Sequence, residues 1–243
     1  MDRVGTVRET LSRWEGVRTP EEQIAARYGY HVAKRIFDLV VATLGIIVFL
    51  PLMVLVAIAI VIDSPGRIIF SQVRMGYSWR TGTLRPFKFL KFRSMFENSD
   101  TRVHEEYVRS WINGNNGHGA HNGHDKVNDL RRDSRMTRVG RVLRRTSLDE
   151  FPQLLNVVLG QMSLVGPRPV PIYEVEQYEA WHMQRLLATP GITGAWQVAM
   201  RGHGSVDDMA RLDIDYIRNQ SMALDLRILI QTIPAWLSGR GAA

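Results

Sequence analysis

An apolar segment without a charged side chain, Leu39 to Ile62, dominates the hydropathy pattern of the chain. A straight helix rises ~1.5 Å per residue, so a segment of this length would reach across a hydrocarbon core of ~30 Å. Pro51 lies near its middle, where it lacks a backbone N–H and clashes with the preceding turn, so we predict a bend there. Basic residues on both flanks favour keeping both ends on the cytoplasmic side. The pattern predicts a re-entrant membrane helix within residues 34–66; a proline-kinked spanning helix is the alternative.

The remaining pattern predicts a cytosolic or interfacial domain over residues 67–243 and an extension of residues 1–33 before the apolar segment. Arg67 to Ser78 is predicted to be extended with a turn at Met75 to Tyr77, and aromatic and cationic residues partly alternate from Phe87 to Met95. Helical patterns cover Val139–Arg145, Phe151–Leu159, Pro171–Ala188 and Val206–Asn219. The predicted fold class is therefore α/β, mainly helical: a compact cytosolic domain with a proline-bent re-entrant helix and interfacial amphipathic helices, Leu224–Leu237 among them.

Residues 113–128 are rich in Gly, Asn and His, which predicts a flexible surface loop. The three-residue spacing of His118, His121 and His124 invites a metal hypothesis. A Gly-Asn segment offers no rigid scaffold for such a site, so the loop interpretation is favoured.

Charge and cysteine content narrow the classes of partner. The chain has 243 residues with 31 Lys and Arg against 24 Asp and Glu, a net charge of +7 that suits an anionic partner such as nucleic acid or a phospholipid surface. It has no cysteine, which excludes disulfides and thiolate metal sites.

Asp149 and Glu150 form a carboxylate pair close in sequence to Arg144, Arg145 and Arg168. Arginines near a carboxylate are expected to lower its pKa and to bind anionic substrate oxygens. The combination favours phosphoryl chemistry over a solvated acidic surface.

Pro152 constrains how this acidic pair is held. If Ser147 capped the following helix, Pro152 would fall at the fifth helical position, where its ring and missing donor are costly. With Asp149 as the N-cap, Pro152 falls at the third position and is tolerated. We therefore predict that Asp149 caps a helix, with both carboxylates at its N-terminus.

Four ordered sequence blocks follow the apolar segment: Lys-Phe-Arg-Ser-Met at 91–95, Ser-Leu-Asp-Glu-Phe-Pro-Gln-Leu-Leu-Asn at 147–156, Ser-Leu-Val-Gly-Pro-Arg-Pro at 163–169 and Pro-Gly-Ile-Thr-Gly-Ala-Trp-Gln-Val at 190–198. Together they are far more specific than one short motif. From about Lys34 onward the chain resembles the bacterial sugar transferases, small monotopic phosphoglycosyl transferases that start glycan assembly on polyprenol phosphate. The resemblance implies a re-entrant helix bent at Pro51.

The resemblance further implies a mechanism. Asp149 would be the nucleophile, with Glu150 and a Mg²⁺ ion assisting it, and both carboxylates would be the metal ligands. The donor would be a UDP-sugar and the acceptor polyprenol phosphate, so that a covalent aspartyl phosphosugar forms and UMP leaves. Such enzymes work on the cytoplasmic face of the bacterial inner membrane, in contact with its lipids.

The residues expected to bind substrate are mostly cationic. They are Lys91, Arg93, Arg144, Arg145, Pro167, Arg168, Pro169 and Arg201. Guanidinium groups can hold phosphate oxygens by paired contacts, and the two prolines would fix the backbone around Arg168. The chain departs from the resemblance at Gln161, where members often carry an acid. It departs again at Ala199-Met200-Arg201, in place of Ser-Gly-Arg.

Two other functional hypotheses stand beside the transferase. A membrane-anchored, metal-dependent hydrolase would cleave the nucleotide sugar with water as the acceptor of the sugar phosphate. A basic membrane scaffold is disfavoured, because the chain lacks a base-stacking module and its basic residues alternate with carboxylates, so no nucleic acid partner is predicted. Met1 to Tyr30 could lie on the membrane or contact another subunit of a homo-oligomer, and the sequence leaves both open.

Overall fold

The computed structural model describes residues 27–97, 99, 105, 106, 108, 109, 112, 133–200 and 204–237. The predicted extension before residue 27, the predicted loop at 113–128 with its histidines, and Arg201 lie outside the described residues.

The apolar segment forms one long helix, α1, Tyr28–Asp63, which runs through Pro51 without a break in its assignment. By length and composition it could cross a membrane. It ends where Ser64 is extended and Pro65 follows, which cannot continue the ladder. Buried residues recur every four positions on one face, at Lys34, Asp38 and Ala42 and again at Val56 and Ile60. The other faces expose large apolar side chains along the helix, as expected of a lipid-facing surface.

Both ends of α1 are tied to the same folded body. Near its start, Lys34 Nζ lies 2.6 Å from Asp225 Oδ2, and Asp38 Oδ1 accepts a hydrogen bond from the Leu164 N–H at 3.1 Å. At its end, Asp63 Oδ2 accepts from the Val139 N–H at 2.9 Å. The helix therefore lies along the domain and is held by it at both ends.

The two predicted extended segments pair as an antiparallel hairpin, β1 Ile69–Ser78 with β2 Thr83–Phe92. The turn predicted at Met75 to Tyr77 is wrong, because β1 continues through these residues. Gly76 serves close packing instead: a Cβ there would lie 2.8 Å from Phe87 Cδ1. The chain reverses after Ser78, where Gly82 takes a positive φ of 65°.

The described helices after the hairpin are shorter than α1. These helices are α2 Arg138–Thr146, α3 Gln153–Val158, α4 Ile172–Val175, α5 Ala195–Ala199, α6 Val206–Arg218 and α7 Met222–Leu237. Two short strands, β3 Ser163–Val165 and β4 Gly191–Thr193, pair in parallel. Thr137 caps α2 by accepting from the Gly140 N–H, and Ser205 with Asp208 forms a capping box on α6. The expectation of a mainly helical protein is confirmed.

The long helix predicted over Pro171–Ala188 is wrong. The segment divides into α4 and a 3-10 helix, His182–Leu186. The Glu179 N–H donates to His182 Nδ1, so a side chain competes with the helical ladder. Arg185 is fully buried and points inward to Asp213, with its Nη2 2.7 Å from Oδ2. Polar contacts, which the amphipathic pattern could not show, set the path of this segment.

Among the described residues, two of the three apolar core clusters include residues of α1. One cluster joins Ala42 of α1 to Phe89 of β2, Val157 of α3 and Tyr216 of α6. Another joins Val56 and Ile60 of α1 to Leu143 of α2, with Leu148 and Phe151 packed against it. Packing of α1 against β2, α2 and α3 sets the acidic pair beside α1.

Candidate active site

The acidic pair lies in a 3-10 turn, Leu148–Glu150, directly after α2. Ser147 connects α2 to this turn and adopts the left-handed backbone conformation, with φ 55° and ψ 18°. This conformation costs a non-glycine residue about 1–3 kcal/mol. The prediction that Asp149 caps a helix is wrong, because α3 begins at Gln153 and Pro152 is its N-cap. The capping argument considered only backbone donors near Asp149, whereas Lys91 of β2 contacts its carboxylate.

Lys91 joins the two carboxylates. Its Nζ lies 3.4 Å from Asp149 Oδ2 and 3.1 Å from Glu150 Oε1. Arg168 adds a second cation, with its Nη2 3.3 Å from the same Glu150 oxygen. Asp149 is 3% exposed. The structure thus brings Lys91 and Arg168, two of the predicted binding residues, to the acidic pair.

The environment separates the pKa values of the two acids. Burial raises the pKa of Asp149, outweighing the charges of Lys91 and Arg144, and the Glu150 charge raises it further. Burial also opposes ionisation of Glu150, but Lys91 and Arg168 overcome it and lower the pKa of Glu150 to about 2. The predicted lowering is confirmed for Glu150 and wrong for Asp149. Glu150 keeps its charge, while Asp149 is a desolvated carboxylate.

Arg168 is carried by a tightly packed loop. Gly166 leaves no room for a side chain, since a Cβ would lie 2.3 Å from the Thr189 carbonyl oxygen. The Gly191 N–H donates to the Pro167 carbonyl at 2.9 Å, and Pro167 and Pro169 are both buried. The blocks at 163–169 and 190–198 therefore pack on each other and hold Arg168 half-exposed between two fixed prolines.

Asn156 connects the acidic turn to β2. Its Nδ2 donates to the Lys88 carbonyl at 2.8 Å and to Gln161 Oε1 at 2.6 Å, while its Oδ1 accepts from the Leu90 N–H at 3.1 Å. These bonds fix α3 against the strand that carries Lys91. Gln161 thus has a structural partner here, and an acid at that position would meet Asn156 rather than the acidic pair.

The other predicted binding residues are placed differently. Arg144 interacts electrostatically with Asp149, and its Nε donates to Ser94 Oγ at 3.1 Å. Arg93 is buried, and its Nη2 donates to the carbonyl and hydroxyl oxygens of Ser64 at 2.6 and 2.8 Å. Arg145 is exposed on the surface of α2. Arg93 therefore holds the end of α1, and its guanidinium is engaged away from the acidic pair.

Sequence reasoning missed several residues of the site region, Arg74, Ser94 and Asn156 among them. Ser94 and Asn156 each lie within one of the sequence blocks, and Asn156 carried the further signal of a polar residue on an apolar helix. Asp213 and Tyr216 of α6 belong to buried networks away from the acidic pair: Asp213 pairs with Arg185, and the Tyr216 hydroxyl donates to Asp225 Oδ1 at 2.6 Å.

A magnesium ion would find a suitable but minimal donor set. Within the described part of the chain, three or more metal-binding side chains do not come together. Asp149 and Glu150 nevertheless offer two adjacent carboxylates, and Mg²⁺ is commonly held by one or two carboxylates together with substrate phosphates. The residues therefore fit an ion that is completed by a diphosphate substrate.

The model of the family described as "Bacterial sugar transferase" matches residues 29–239. The chain belongs to the bacterial sugar transferase family. Among the proteins similar to it, the exopolysaccharide production protein ExoY of Sinorhizobium fredii is 39% identical over 223 residues, which cover 92% of this chain and 93% of that protein.

Two further sugar transferases have names that state an activity. The UDP-glucose:undecaprenyl-phosphate glucose-1-phosphate transferase of Caulobacter vibrioides is 38% identical, covering 87% of this chain and 72% of that protein. The undecaprenyl-phosphate galactose phosphotransferase of Salmonella typhimurium is 38% identical, covering 86% of this chain and 41% of that protein. The names differ in the sugar and share the undecaprenyl phosphate.

Proposed function

We propose that this sugar transferase moves a sugar 1-phosphate from a UDP-sugar to undecaprenyl phosphate, or a similar polyprenol phosphate, and releases UMP. The product would be the first lipid-linked intermediate of an exopolysaccharide, capsule, O-antigen or glycoprotein glycan. The observation that carries the proposal is the buried Asp149 carboxylate beside Glu150, with Lys91 in contact with both acids and Arg168 in contact with Glu150. The names of the relatives support the choice of substrates.

In the first half-reaction an oxygen of Asp149 attacks the phosphorus that bears the sugar. The new bond is an acyl phosphate, the diphosphate P–O bond breaks, and its electron pair leaves with UMP. Desolvation favours the attack, because a carboxylate that has lost its water needs less reorganisation. Lys91 orients the carboxylate, and Arg144 and Arg168 are close enough to hold phosphate oxygens.

In the second half-reaction a phosphate oxygen of the polyprenol phosphate attacks the phosphorus of the aspartyl phosphosugar. The acyl phosphate bond breaks, Asp149 regains its carboxylate, and a polyprenyl diphosphate sugar leaves. In the first half-reaction, Asp149 and Glu150 would hold Mg²⁺ together with the donor diphosphate, and the ion would neutralise charge on the departing UMP.

The packing of the acidic turn suits a lipid acceptor. Leu148 and Phe151, which flank the acids, pack against the α1 cluster that contains Val56. The Phe151 and Phe49 ring centroids are 5.0 Å apart. A phosphate at the membrane surface would therefore meet the acids without a large movement of the domain.

The same packing supports a monotopic, cytoplasmic placement. The two ends of α1 are hydrogen-bonded to one body, and a helix that crossed the bilayer would have to give up one set of these contacts. A re-entrant α1 bent at Pro51 keeps both. This proposal extends the finding that α1 could anchor the protein to a membrane.

Cysteines introduced on either side of α1's apolar segment should be labelled only from the cytoplasm. Gly29→Cys and Arg80→Cys suit this test, since the chain has no cysteine, both sites are exposed, and a Cβ at Gly29 has open space. The measurement is modification by an impermeant maleimide in oriented vesicles. Labelling of the two sites from opposite faces would show that α1 spans the membrane.

UMP release should depend on the lipid acceptor over many turnovers. With a panel of UDP-sugars, Mg²⁺ and polyprenol phosphate, we expect sustained release from the correct donor, and at most one equivalent per enzyme without the lipid. Sustained release without the lipid would favour the hydrolase, which the same acids could perform with water. The donor panel also identifies the sugar.

Replacing Lys91 with methionine should move the acidic limb of the rate profile to higher pH. The Asp149 pKa is already raised by burial, and the Lys91 charge lowers it, so removing the lysine raises the pKa further. More Asp149 is then protonated at a given acidic pH, and only the carboxylate can attack. The check is UMP release against pH; Lys88→Met, on an exposed position of the same strand, should leave the limb in place.

A further inference from the structure

Arg74 of β1 is held in one orientation by three kinds of contact. Its Nη1 donates to the Pro169 carbonyl oxygen at 2.7 Å. Its Nε and Nη2 each lie 3.3 Å from Gln72 Oε1. Its Cζ lies 4.0 Å from the centroid of the buried Phe89 ring, so the guanidinium packs against an aromatic face. The group is therefore immobilised and aimed at the loop that carries Arg168.

The packed Pro167–Pro169 loop can accept hydrogen bonds at its two prolines but cannot donate them there. Proline has no N–H, so the two prolines can be hydrogen-bonded only through their carbonyls. The Gly191 N–H donates to the Pro167 carbonyl oxygen at 2.9 Å, and Arg74 Nη1 donates to the Pro169 carbonyl oxygen. These two contacts lie on either side of Arg168, whose Nη2 meets Glu150.

We propose that Arg74 is a positioning residue that fixes the Pro169 carbonyl and thereby sets the direction in which Arg168 meets Glu150 and the diphosphate of the donor. The inference rests on the proposed function, because it concerns the same site. Arg74 acts through Arg168 and does not itself need to touch the substrate.

The contacts explain why this position needs an arginine. A planar guanidinium can donate to a carbonyl and a side-chain amide while its face lies on a ring, whereas an ammonium group cannot combine these contacts. Within the described residues Arg74 forms no ion pair with a carboxylate, so holding a carbonyl is its main polar task. Burial, with the nearby charge of Arg168, lowers the pKa of Arg74 to about 10, which leaves it charged at neutral pH.

A double-mutant cycle tests the inference. Arg74→Ala should lower kcat/KM for the UDP-sugar by about 10- to 100-fold, since small misplacements of a binding group have effects of this size. Because Arg74 acts through Arg168, the same substitution in an Arg168→Ala background should cost less than about 3-fold. Arg74→Lys should recover only part of the loss.

Arg85→Ala is the matched control, because Arg85 lies on the same hairpin and donates to the Gly160 carbonyl oxygen at 2.9 Å. Its loss should change kcat/KM by less than about 2-fold.

Additive losses of Arg74 and Arg168 would overturn the positioning role, as would full activity of Arg74→Lys. If Arg74→Ala does not fold, judged by thermal unfolding in detergent, the cycle is run with Arg74→Lys and decided by the same criterion. Lack of lipid-dependent UMP release by the wild type would instead refute the proposed function, so the two failures are distinguishable.

Discussion

Asp149→Asn should abolish turnover, lowering lipid-dependent UMP release by at least ~10³-fold, the scale expected when a covalent nucleophile is removed. The amide matches the carboxylate in size, but it has no anionic oxygen with which to form an acyl phosphate. The measurement is UMP release from the UDP-sugar with Mg²⁺ and polyprenol phosphate. Membrane association should be unchanged, because the contacts of α1 do not involve this side chain.

The same substitution should leave the thermal unfolding midpoint unchanged or higher. Burial raises the pKa of Asp149 in the folded protein. A raised pKa favours folding below the unfolded value, and this advantage is lost as the pH rises through the folded pKa, so the ionised carboxylate opposes folding at neutral pH. Asp215→Asn on the exposed side of α6 is the matched control and should keep full activity. Near-normal turnover by Asp149→Asn would exclude Asp149 as the nucleophile.

Glu150→Gln and removal of Mg²⁺ should each cause large losses. The substitution should lower kcat by ~10²–10³-fold, because it removes a fixed charge that works in a desolvated site. EDTA should abolish wild-type turnover, and added Mg²⁺ should restore the chelated wild type but not Glu150→Gln. Full activity of the wild type in EDTA would exclude the metal, and Glu106→Gln, on an exposed residue, is the control substitution.

The two acids should differ in their effect on stability. The pKa of Glu150 is lowered from 4.5 to about 2. Its contribution to stability is present above the unfolded pKa and is lost as the pH falls through about 2, so at neutral pH Glu150→Gln should lower the unfolding midpoint. The unfolding midpoint should therefore fall for Glu150→Gln and not fall for Asp149→Asn. This difference is expected because Lys91 and Arg168 stabilise the ionised Glu150, whereas burial destabilises the ionised Asp149.

The sequence was sufficient where one local pattern fixes the structure. The uncharged run of α1, the first strand of the hairpin and helices α2 and α6 were all predictable from period and composition. Arginines cluster around the two acids in sequence, and this pattern predicts that the pair is a site. Two of the errors in secondary structure come from contacts that period and composition do not show. Packing of Gly76 on Phe87 overrides a local turn signal, and the Glu179–His182 hydrogen bond with the buried Arg185–Asp213 pair interrupts the predicted helix.

The arrangement of the site depended on contacts between distant positions. Lys91 lies 58 positions before Asp149 and reaches it through the pairing of Asn156 with β2. The opposite pKa shifts of Asp149 and Glu150 follow from burial, which sequence proximity to arginines does not reveal. Arg93 and Arg168 each lie within one of the sequence blocks, so the sequence gives both the same predicted role. Packing places Arg93 at the end of α1 and Arg168 beside Glu150.

The most direct test of the covalent mechanism is mass spectrometry of the enzyme incubated with the UDP-sugar and Mg²⁺ in the absence of polyprenol phosphate. We expect the intact mass to rise by one sugar phosphate, the modification to map to Asp149, and added polyprenol phosphate to discharge it. Lipid-dependent turnover without any such adduct, in samples quenched across the first turnover, would contradict the aspartyl intermediate and indicate direct transfer between the two substrates.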